Sequence, residues 1–295
     1  MIYLLDASIY VFRGWFALPD SLTTPDGEPA NGFRGFATTL ADTLAITGKH
    51  PLIVCFDESL TSSFRNEIDP DYKANRELPP PDLEAQFLWC RELSEALGLS
   101  SLSSNYYEAD DLMASVARLA RGQDHGVTLI SRDKDLAQIL QPGDQYWEGP
   151  GKAPMTYEDM DEKLGFAPEA MADYLALVGD PVDNIPGVSG IGAKSAAHLL
   201  AHYKTLEAIF ADLEGIADLG LRGSARLQRL LEAGREQAFH ARQLTRLHDG
   251  APLPFKSLPG KNDAPDAQAL QALDQRVGLG KRTREKFHQY IGKHY

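Results

Sequence analysis

The four residues Glu108-Ala109-Asp110-Asp111 carry three carboxylates at the start of an amphipathic run, Leu112, Met113, Val116, Leu119 and Ala120. One acid in a first helical turn complements the helix dipole. Three within four residues repel one another, and a divalent cation among them removes that cost. Further acids stand at comparable points. Asp6 ends the apolar run Tyr3-Leu4-Leu5, and Asp57 ends Leu52-Ile53-Val54-Cys55-Phe56. Asp133 and Asp135 follow Val127-Thr128-Leu129-Ile130, and Asp180 and Asp183 occupy a turn after a helical stretch. Carboxylate oxygens are what a hard cation such as Mg²⁺ takes as ligands. These nine acids exceed the need of one ion and match two, a pair that drives in-line displacement at a phosphodiester. Each acid alone reads most simply as a cap or turn residue. The set carries chemistry only if the fold brings it together.

A second pattern is Gly187-Val188-Ser189-Gly190-Ile191-Gly192, followed by Lys194 and a helix from about Ala193 to His202. Glycines let a backbone approach a phosphate, and a helix N-terminus offers free N–H groups to it. A nucleotide-binding loop is a poor match, because no strand precedes it and no Gly-Lys-Ser/Thr follows. The pattern fits a helix-hairpin-helix, which grips the sugar-phosphate backbone without reading bases. The plainer alternative is a structural turn. His198 and His202 have zinc-helix spacing but lack the intervening Glu of the metalloprotease motif, and read as a solvated face.

The elements that must position these groups follow from the apolar pattern. Residues 3–6, 51–57 and 127–135 read as buried strands ending in acids, with helices over 8–18, 33–47 and 83–97 and one that starts within 107–111, and a short strand at 145–147. In open α/β sheets ligands bind beyond the carboxyl ends of the strands. Alternation of strand and helix predicts an α/β domain with a largely parallel sheet. Residues 58–82 are polar, basic in places and punctuated by Pro79-Pro80-Pro81; they read as a long exposed excursion. Past residue 156 the pattern is helical: 156–178, Leu206–Leu213, Arg222–Leu231, Glu236–Leu247, and 267–295 after a linker at 256–266. The last stretch carries a basic cluster at Arg276, Lys281, Arg282, Arg284 and Lys286.

The chain of 295 residues has a net charge of −13, all of it in residues 1–160, which hold 12 Lys+Arg against 25 Asp+Glu. Residues 161–295 hold 17 of each. An acidic protein is not an obvious nucleic-acid binder, yet a domain that gathers carboxylates for metal has this asymmetry. Cys55 and Cys90 have no metal-like spacing and read as free thiols. No apolar run approaches a membrane span, and the first residues do not form a signal peptide. A cytoplasmic location is expected.

Taken in order, Leu5-Asp6-Ala7-Ser8, Phe56-Asp57, Phe64-Arg65, Tyr72-Lys73-Ala74-Asn75-Arg76, Tyr107-Glu108-Ala109-Asp110-Asp111, Asp133-Lys134-Asp135 and Gly179-Asp180-Pro181-Val182-Asp183-Asn184-Ile185-Pro186-Gly187-Val188 resemble the bacterial 5′-3′ exonuclease and flap endonuclease family. That family includes the nuclease domain of DNA polymerase I and stand-alone exonuclease IX-like proteins. The resemblance implies a PIN-like (resolvase-like) α/β nuclease domain over 1–165, with a helical arch at about 58–95. A helix-3-turn-helix module over 166–255 and a linker with a basic helix over 256–295 complete the chain. It implies that Asp6, Asp57, Glu108, Asp110, Asp111, Asp133, Asp135, Asp180 and Asp183 hold two Mg²⁺ or Mn²⁺ ions. Asp110 and Asp111 are expected as nearer ligands than Glu108. By the same resemblance Lys73, Arg76, Asp110 and Asp111 are catalytic, and Arg13, Arg65, Tyr72, Lys73 and Arg76 meet DNA with Gly187, Gly190, Gly192 and Lys194. Backbone carbonyls of Leu177, Val178, Pro186, Val188 and Ile191 would hold K⁺.

Two points set this chain apart within the resemblance. Phe12 replaces a Tyr common in polymerase-associated relatives. Asp135, Asp180 and Asp183 are retained where some stand-alone relatives have lost the equivalent acids. The implied function is a metal-dependent, structure-specific 5′ nuclease acting on branched or 5′-flapped DNA, as a monomer, with no small-molecule cofactor and no membrane. The alternatives are a DNA-junction-binding protein with vestigial nuclease activity and a PIN-type ribonuclease.

Overall fold

Apolar runs that end at carboxylates build the centre of a sheet. The computed structural model describes residues 1–58, 62–220 and 223–292. β1 (Ile2–Asp6), β2 (Leu52–Cys55), β3 (Ser100–Leu102), β4 (Val127–Ile130) and β5 (Gln145–Trp147) run parallel in the order β3-β2-β1-β4-β5. β6 (Met155–Thr156) adds an antiparallel edge. Both faces are covered, so neighbouring residues of one strand serve opposite cores. Leu4, Ile53 and Leu129 join one core while Leu5, Val54 and Ile130 join the other. α1 (Ala7–Ala17), α2 (Asn31–Thr47) and α4 (Pro81–Ala96) cover the second face. α5 (Ala109–Arg121) covers the first, continuous with the helical half of the chain. β1 and β4 are adjacent, so Asp6 and the acids after Ile130 emerge side by side.

Among its described residues the excursion at 58–82 contains one turn of helix, α3 (Arg65–Ile68), before α4 begins at Pro81. A helical arch over 58–95 therefore does not describe it: turns and extended chain fill 69–80, and α4 packs on the sheet domain. Asp69-Pro70 and the three prolines at 79–81 are poor helix interior. Residues 59–61 of the expected arch lie outside the described residues.

The expected helix over 156–178 is three pieces: α6 (Tyr157–Leu164), a 3₁₀ turn at Pro168–Ala170, and α7 (Met171–Val178). Gly165, at φ 76°, ends the first. β7 (Gly179–Asp180) and β8 (Ile185–Pro186) form a short ribbon, followed by α8 (Ala193–Tyr203) and α9 (Leu206–Ala211). Two helices expected between 222 and 247 are one, α10 (Ser224–Thr245); the expected start at Arg222 lies outside the described residues. Gly234 looks like a break but leaves room for Val188, whose Cγ1 lies 2.4 Å from where a Cβ would stand.

Residues 256–266 are not a free linker. Asn262 accepts the Leu52 N–H at 2.8 Å, Asp263 N–H donates to Gly98 O, and Asp266 N–H donates to Ala96 O. The segment is a strap that returns the chain to the sheet domain, where α11 (Ala267–Val277) packs on α4 and α12 (Lys281–Gly292) on α2. The basic cluster is largely neutralised: Arg276 pairs with Glu92, Arg284 with Asp274, and Lys286 with Asp42. No described helix is long and apolar enough to cross a membrane.

Candidate metal centre and its cationic rim

The carboxyl ends of the parallel strands deliver the acids to one cleft. Asp6 ends β1 and caps α1: Oδ1 accepts the Ile9 N–H at 3.4 Å, and Oδ2 accepts the Ser131 hydroxyl at 2.7 Å. Asp57 follows β2; its N–H donates to Ser8 Oγ and its Oδ1 accepts the Ala109 N–H at 2.9 Å, fixing it to the start of α5. Asp133 caps the 3₁₀ helix Lys134–Ile139 by accepting the Asp135 N–H at 2.9 Å. Asp180 Oδ1 accepts the Val182 N–H at 2.9 Å.

The electrostatics divide this cleft. Burial, then Asp57 and Asp133, pushes the Asp6 carboxyl up to about 7. Burial, then Asp6, Asp133, Asp57 and Glu108, holds Asp110 well above the usual carboxylate range. Burial with Asp133, Asp180 and Asp183 pushes Asp135 up to about 7, and its buried Oδ1 has no hydrogen-bond partner. Asp57 and Asp180 are also raised, first by burial and then by Glu108 and Asp183 respectively. Among the described residues no side chain donates to Asp110, and these acids share a field without forming a closed set of three metal ligands.

Glu108 and Asp183 differ. Lys73 Nζ donates to Glu108 Oε1 at 2.6 Å and lies 3.7 Å from Asp183 Oδ2. Arg76 donates to Asp183 Oδ1. The Tyr72 hydroxyl stands between them, 3.0 Å from Glu108 Oε2 and 3.1 Å from Asp183 Oδ2. Burial alone would raise Glu108, but Lys73 and Arg65 outweigh it and hold it below its ordinary value. Lys73 has φ 57°, uncommon for a side-chain-bearing residue, and its N–H donates to Asp183 O at 3.0 Å. Asn75 Nδ2 donates to Pro181 O and Asn184 Nδ2 to Asp71 O. The segment 71–76 is thus clasped to the 180–184 turn.

Four expected site residues stand in other surroundings than expected. Arg65 and Asp111 form a two-pronged ion pair, both distances 2.8 Å, with side chains 1 % and 0 % exposed. Asp111 is closed on Arg65, and Arg65 is buried instead of standing on an open rim. Tyr72, 3 % exposed, is likewise an internal partner of Glu108 and Asp183, not a surface contact. Arg13 is exposed on α1, among Tyr10, Asp42 and Glu148. Sequence reasoning missed Ser8 and Ser131, which hold Asp57 and Asp6. Their signal was a hydroxyl two residues beyond Asp6 and one at the mouth of β4.

At the hairpin, Gly190, Gly192 and Lys194 are exposed at the start of α8. Gly187 serves packing: a Cβ there would lie 2.3 Å from Gly179 N and 2.4 Å from Val178 C. Of the five carbonyls considered for K⁺, three already accept hydrogen bonds, Leu177 from Val188 N–H, Val188 from Ile191 N–H and Pro186 from Gln237.

Two family models match the chain: the 5′-3′ exonuclease N-terminal resolvase-like domain over residues 1–165, and the 5′-3′ exonuclease C-terminal SAM fold over 166–268. DNA polymerase I of Pseudomonas aeruginosa is 36% identical over 276 residues, covering 92% of this chain and 30% of that protein. The thermostable DNA polymerase I of Thermus thermophilus is 35% identical over 279 residues, covering 95% and 32%. The chain thus spans about a third of the length of these relatives. The fold is shared with the T5 D15 protein co-crystallised with metal ions, at TM-score 0.64 and 21% identity, covering 99% of this chain and 98% of that one. It is also shared with the catalytic core of Rad2 in complex with DNA substrate, at TM-score 0.61 and 16% identity, covering 98% and 92%. With a resolvase-like sheet domain, a helical second domain and its acids gathered at the strand ends, this chain belongs to the 5′-3′ exonuclease family.

Proposed function

We propose that this member of the 5′-3′ exonuclease family is a divalent-metal-dependent, structure-specific 5′ nuclease that hydrolyses phosphodiester bonds in DNA bearing 5′ flaps or ends. The observation that carries the reading is the part of the cleft where Asp6, Asp110 and Asp133 press on one another and Asp133 in turn on Asp135, with Lys134 easing Asp135 only in part. Buried like charges at this density are costly, and a divalent ion relieves them. The donors named here are all carboxylates, with no His or Cys, which suits Mg²⁺ or Mn²⁺ over zinc. The orphaned Oδ1 of Asp135 fits a ligand role. Asp6, Asp57, Asp110 and Asp133 would hold one ion, and Asp135 and Asp180 a second, with Asp183 joining it only if Arg76 turns from it to a phosphate. When bound, such a pair activates a water and stabilises the attacking and leaving oxygens of an in-line displacement.

The chain's own cations do the remaining work. Lys73 and Arg76 stand at the cleft with their charge already turned inward, where they can clamp and polarise the scissile phosphate. Ser8 and Ser131 keep Asp57 and Asp6 oriented. The hairpin at 187–192 and Lys194 present backbone N–H groups and one charge to a duplex phosphate, so selection is by shape and not sequence. The D15 structure with metal ions and the Rad2 complex with DNA substrate go with this reading. K⁺ at the hairpin carbonyls, a monomer and a cytoplasmic place belong to the same proposal.

A 5′-flapped duplex incubated with the chain in Mg²⁺, and in EDTA, tests it. Cleavage near the junction in Mg²⁺ alone is expected. A flap bound but left whole in both would overturn the enzymatic reading in favour of junction binding.

A further inference from the structure

We infer that Arg65 and Asp111 are a positioning pair, a buried ion pair that fixes the helical module against the carboxylate cleft. This rests on the proposed nuclease reading and assigns to both residues a part other than metal ligand or DNA contact.

Their hydrogen-bond inventory is complete. A guanidinium has five N–H donors. Those of Arg65 go to Leu244 O at 2.7 Å, Asp111 Oδ2 and Oδ1 at 2.8 Å each, Arg246 O at 3.2 Å and Glu108 Oε2 at 3.4 Å. No donor is left for a phosphate. A carboxylate offers about four acceptor sites. Asp111 uses two for Arg65, one for the Glu108 N–H at 3.1 Å and one for the His248 N–H at 2.8 Å. No lone pair is left for a metal. The Phe64 ring lies under the guanidinium, 4.6 Å from its centroid, and Tyr107 stacks on His248 at 5.1 Å, so the pair is shielded from water.

The segments joined are the functional ones. Leu244 and Arg246 are the C-terminal end of α10, the helix that carries Gly234 against Val188 of the hairpin. Glu108 and Asp110 open α5 at the cleft. The pair therefore touches the entry to the cleft on one side and the base of the hairpin-bearing helix on the other. If the hairpin holds the duplex and the cleft cuts it, the register between them passes through Arg65 and Asp111. Removing one partner of a buried pair leaves the other charge uncompensated, so the substitutions must keep shape or charge.

The test compares Asp111→Asn, Arg65→Lys and the double variant with the unaltered full chain. Readouts are Mn²⁺ ions bound per chain by electron paramagnetic resonance, flap affinity in Ca²⁺, kcat and KM in Mn²⁺, and the position of the cut. A misplacement of about 1 Å remote from the chemistry costs on the order of 100-fold in kcat. A loss of that order is expected, with the Mn²⁺ count and Ca²⁺ affinity unchanged and cuts spread to neighbouring phosphodiesters. The double variant should be no worse than the worse single one, as for residues acting as a unit. One fewer Mn²⁺ in Asp111→Asn would overturn the inference in favour of a ligand. Weakened Ca²⁺ binding in Arg65→Lys with unchanged kcat would make Arg65 a DNA contact. Unchanged kcat and cut position in both would leave a merely structural pair. Should Asp111→Asn fail to fold, Arg65→Lys, which keeps the buried charge, carries the same comparison. An unaltered chain that leaves the flap whole in Mn²⁺ overturns the nuclease reading and the pair's part in it; the other outcomes, against an active chain, overturn the pair alone.

Discussion

The two ends of the cleft meet the same charge in opposite ways. At one end Glu108 and Asp183 face Lys73, Arg76 and the Tyr72 hydroxyl, and Glu108 stays ionised below its ordinary range. At the other, Asp6, Asp110 and Asp135 face burial and further carboxylates, and all three are pushed up. Both ends are built from carboxylates at strand ends and helix starts. The difference comes from Arg65 and segment 71–76, which hydrogen-bond to the acids of one end and reach the other only through the charge of Lys73 on Asp57. The chain supplies its own cations where a phosphate is to be gripped, and leaves open the end where an external cation is worth most.

Substitutions can break that contrast from either side. The largest effect is expected at the open end: Asp110→Asn should lower kcat on a 5′ flap on the order of 1,000-fold while leaving flap binding in Ca²⁺ nearly unchanged. Near-normal turnover would remove Asp110 from the centre. At the compensated end, Lys73→Ala should slow single-turnover cleavage about 100-fold, yet leave the number of Mn²⁺ ions bound as it was. If metal is lost with Lys73, the two ends are not separate in the way argued. Gly187→Ala sits outside the contrast and should sharpen it. Its Cβ would press on the backbone of Gly179 and Val178, costing about 1–3 kcal/mol of stability. Thermal unfolding should register that cost, and duplex affinity should fall, with Mn²⁺ binding intact.

The smallest effect is in pH. Asp6 and Asp135 titrate near 7 in the folded chain against about 3.9 when unfolded. Folding therefore favours their protons. The stability they contribute is full below about pH 4 and is lost as pH rises through about 7. Without divalent metal, Tm should fall by roughly 5 °C between pH 5 and pH 8. Mg²⁺ should restore more of it at pH 8 than at pH 5, because binding requires the deprotonated carboxylates. A Tm flat across this range would mean the open end carries its charge at no cost.

Much of this was legible in the chain because the signals are local. A short apolar run that closes on an acid describes β1 with Asp6, and one that reaches an acid three residues on describes β4 with the Asp133 turn, whatever the rest of the chain does. β3 was missed: Ser100–Leu102 is short and at an edge, with two serines where an apolar pattern would show. α10 was divided at Gly234 because sequence reading cannot see Val188 filling the gap across the helix. The strap at 256–266 looked like a linker because its role is to satisfy backbone groups of β2 and α4, a pairing over 210 residues for Asn262 and Leu52. Asp111 is where the fold adds most to the sequence. Its type and spacing are those of a ligand, and only the fold brings Arg65, 46 residues away, to take its oxygens.

Anomalous scattering from crystals equilibrated with Mn²⁺ above pH 8 tests the central contrast most directly. The account predicts manganese among Asp6, Asp110, Asp133 and Asp135, with Asp111 still closed on Arg65. Manganese bound to Asp111, or none among those four carboxylates, would contradict it.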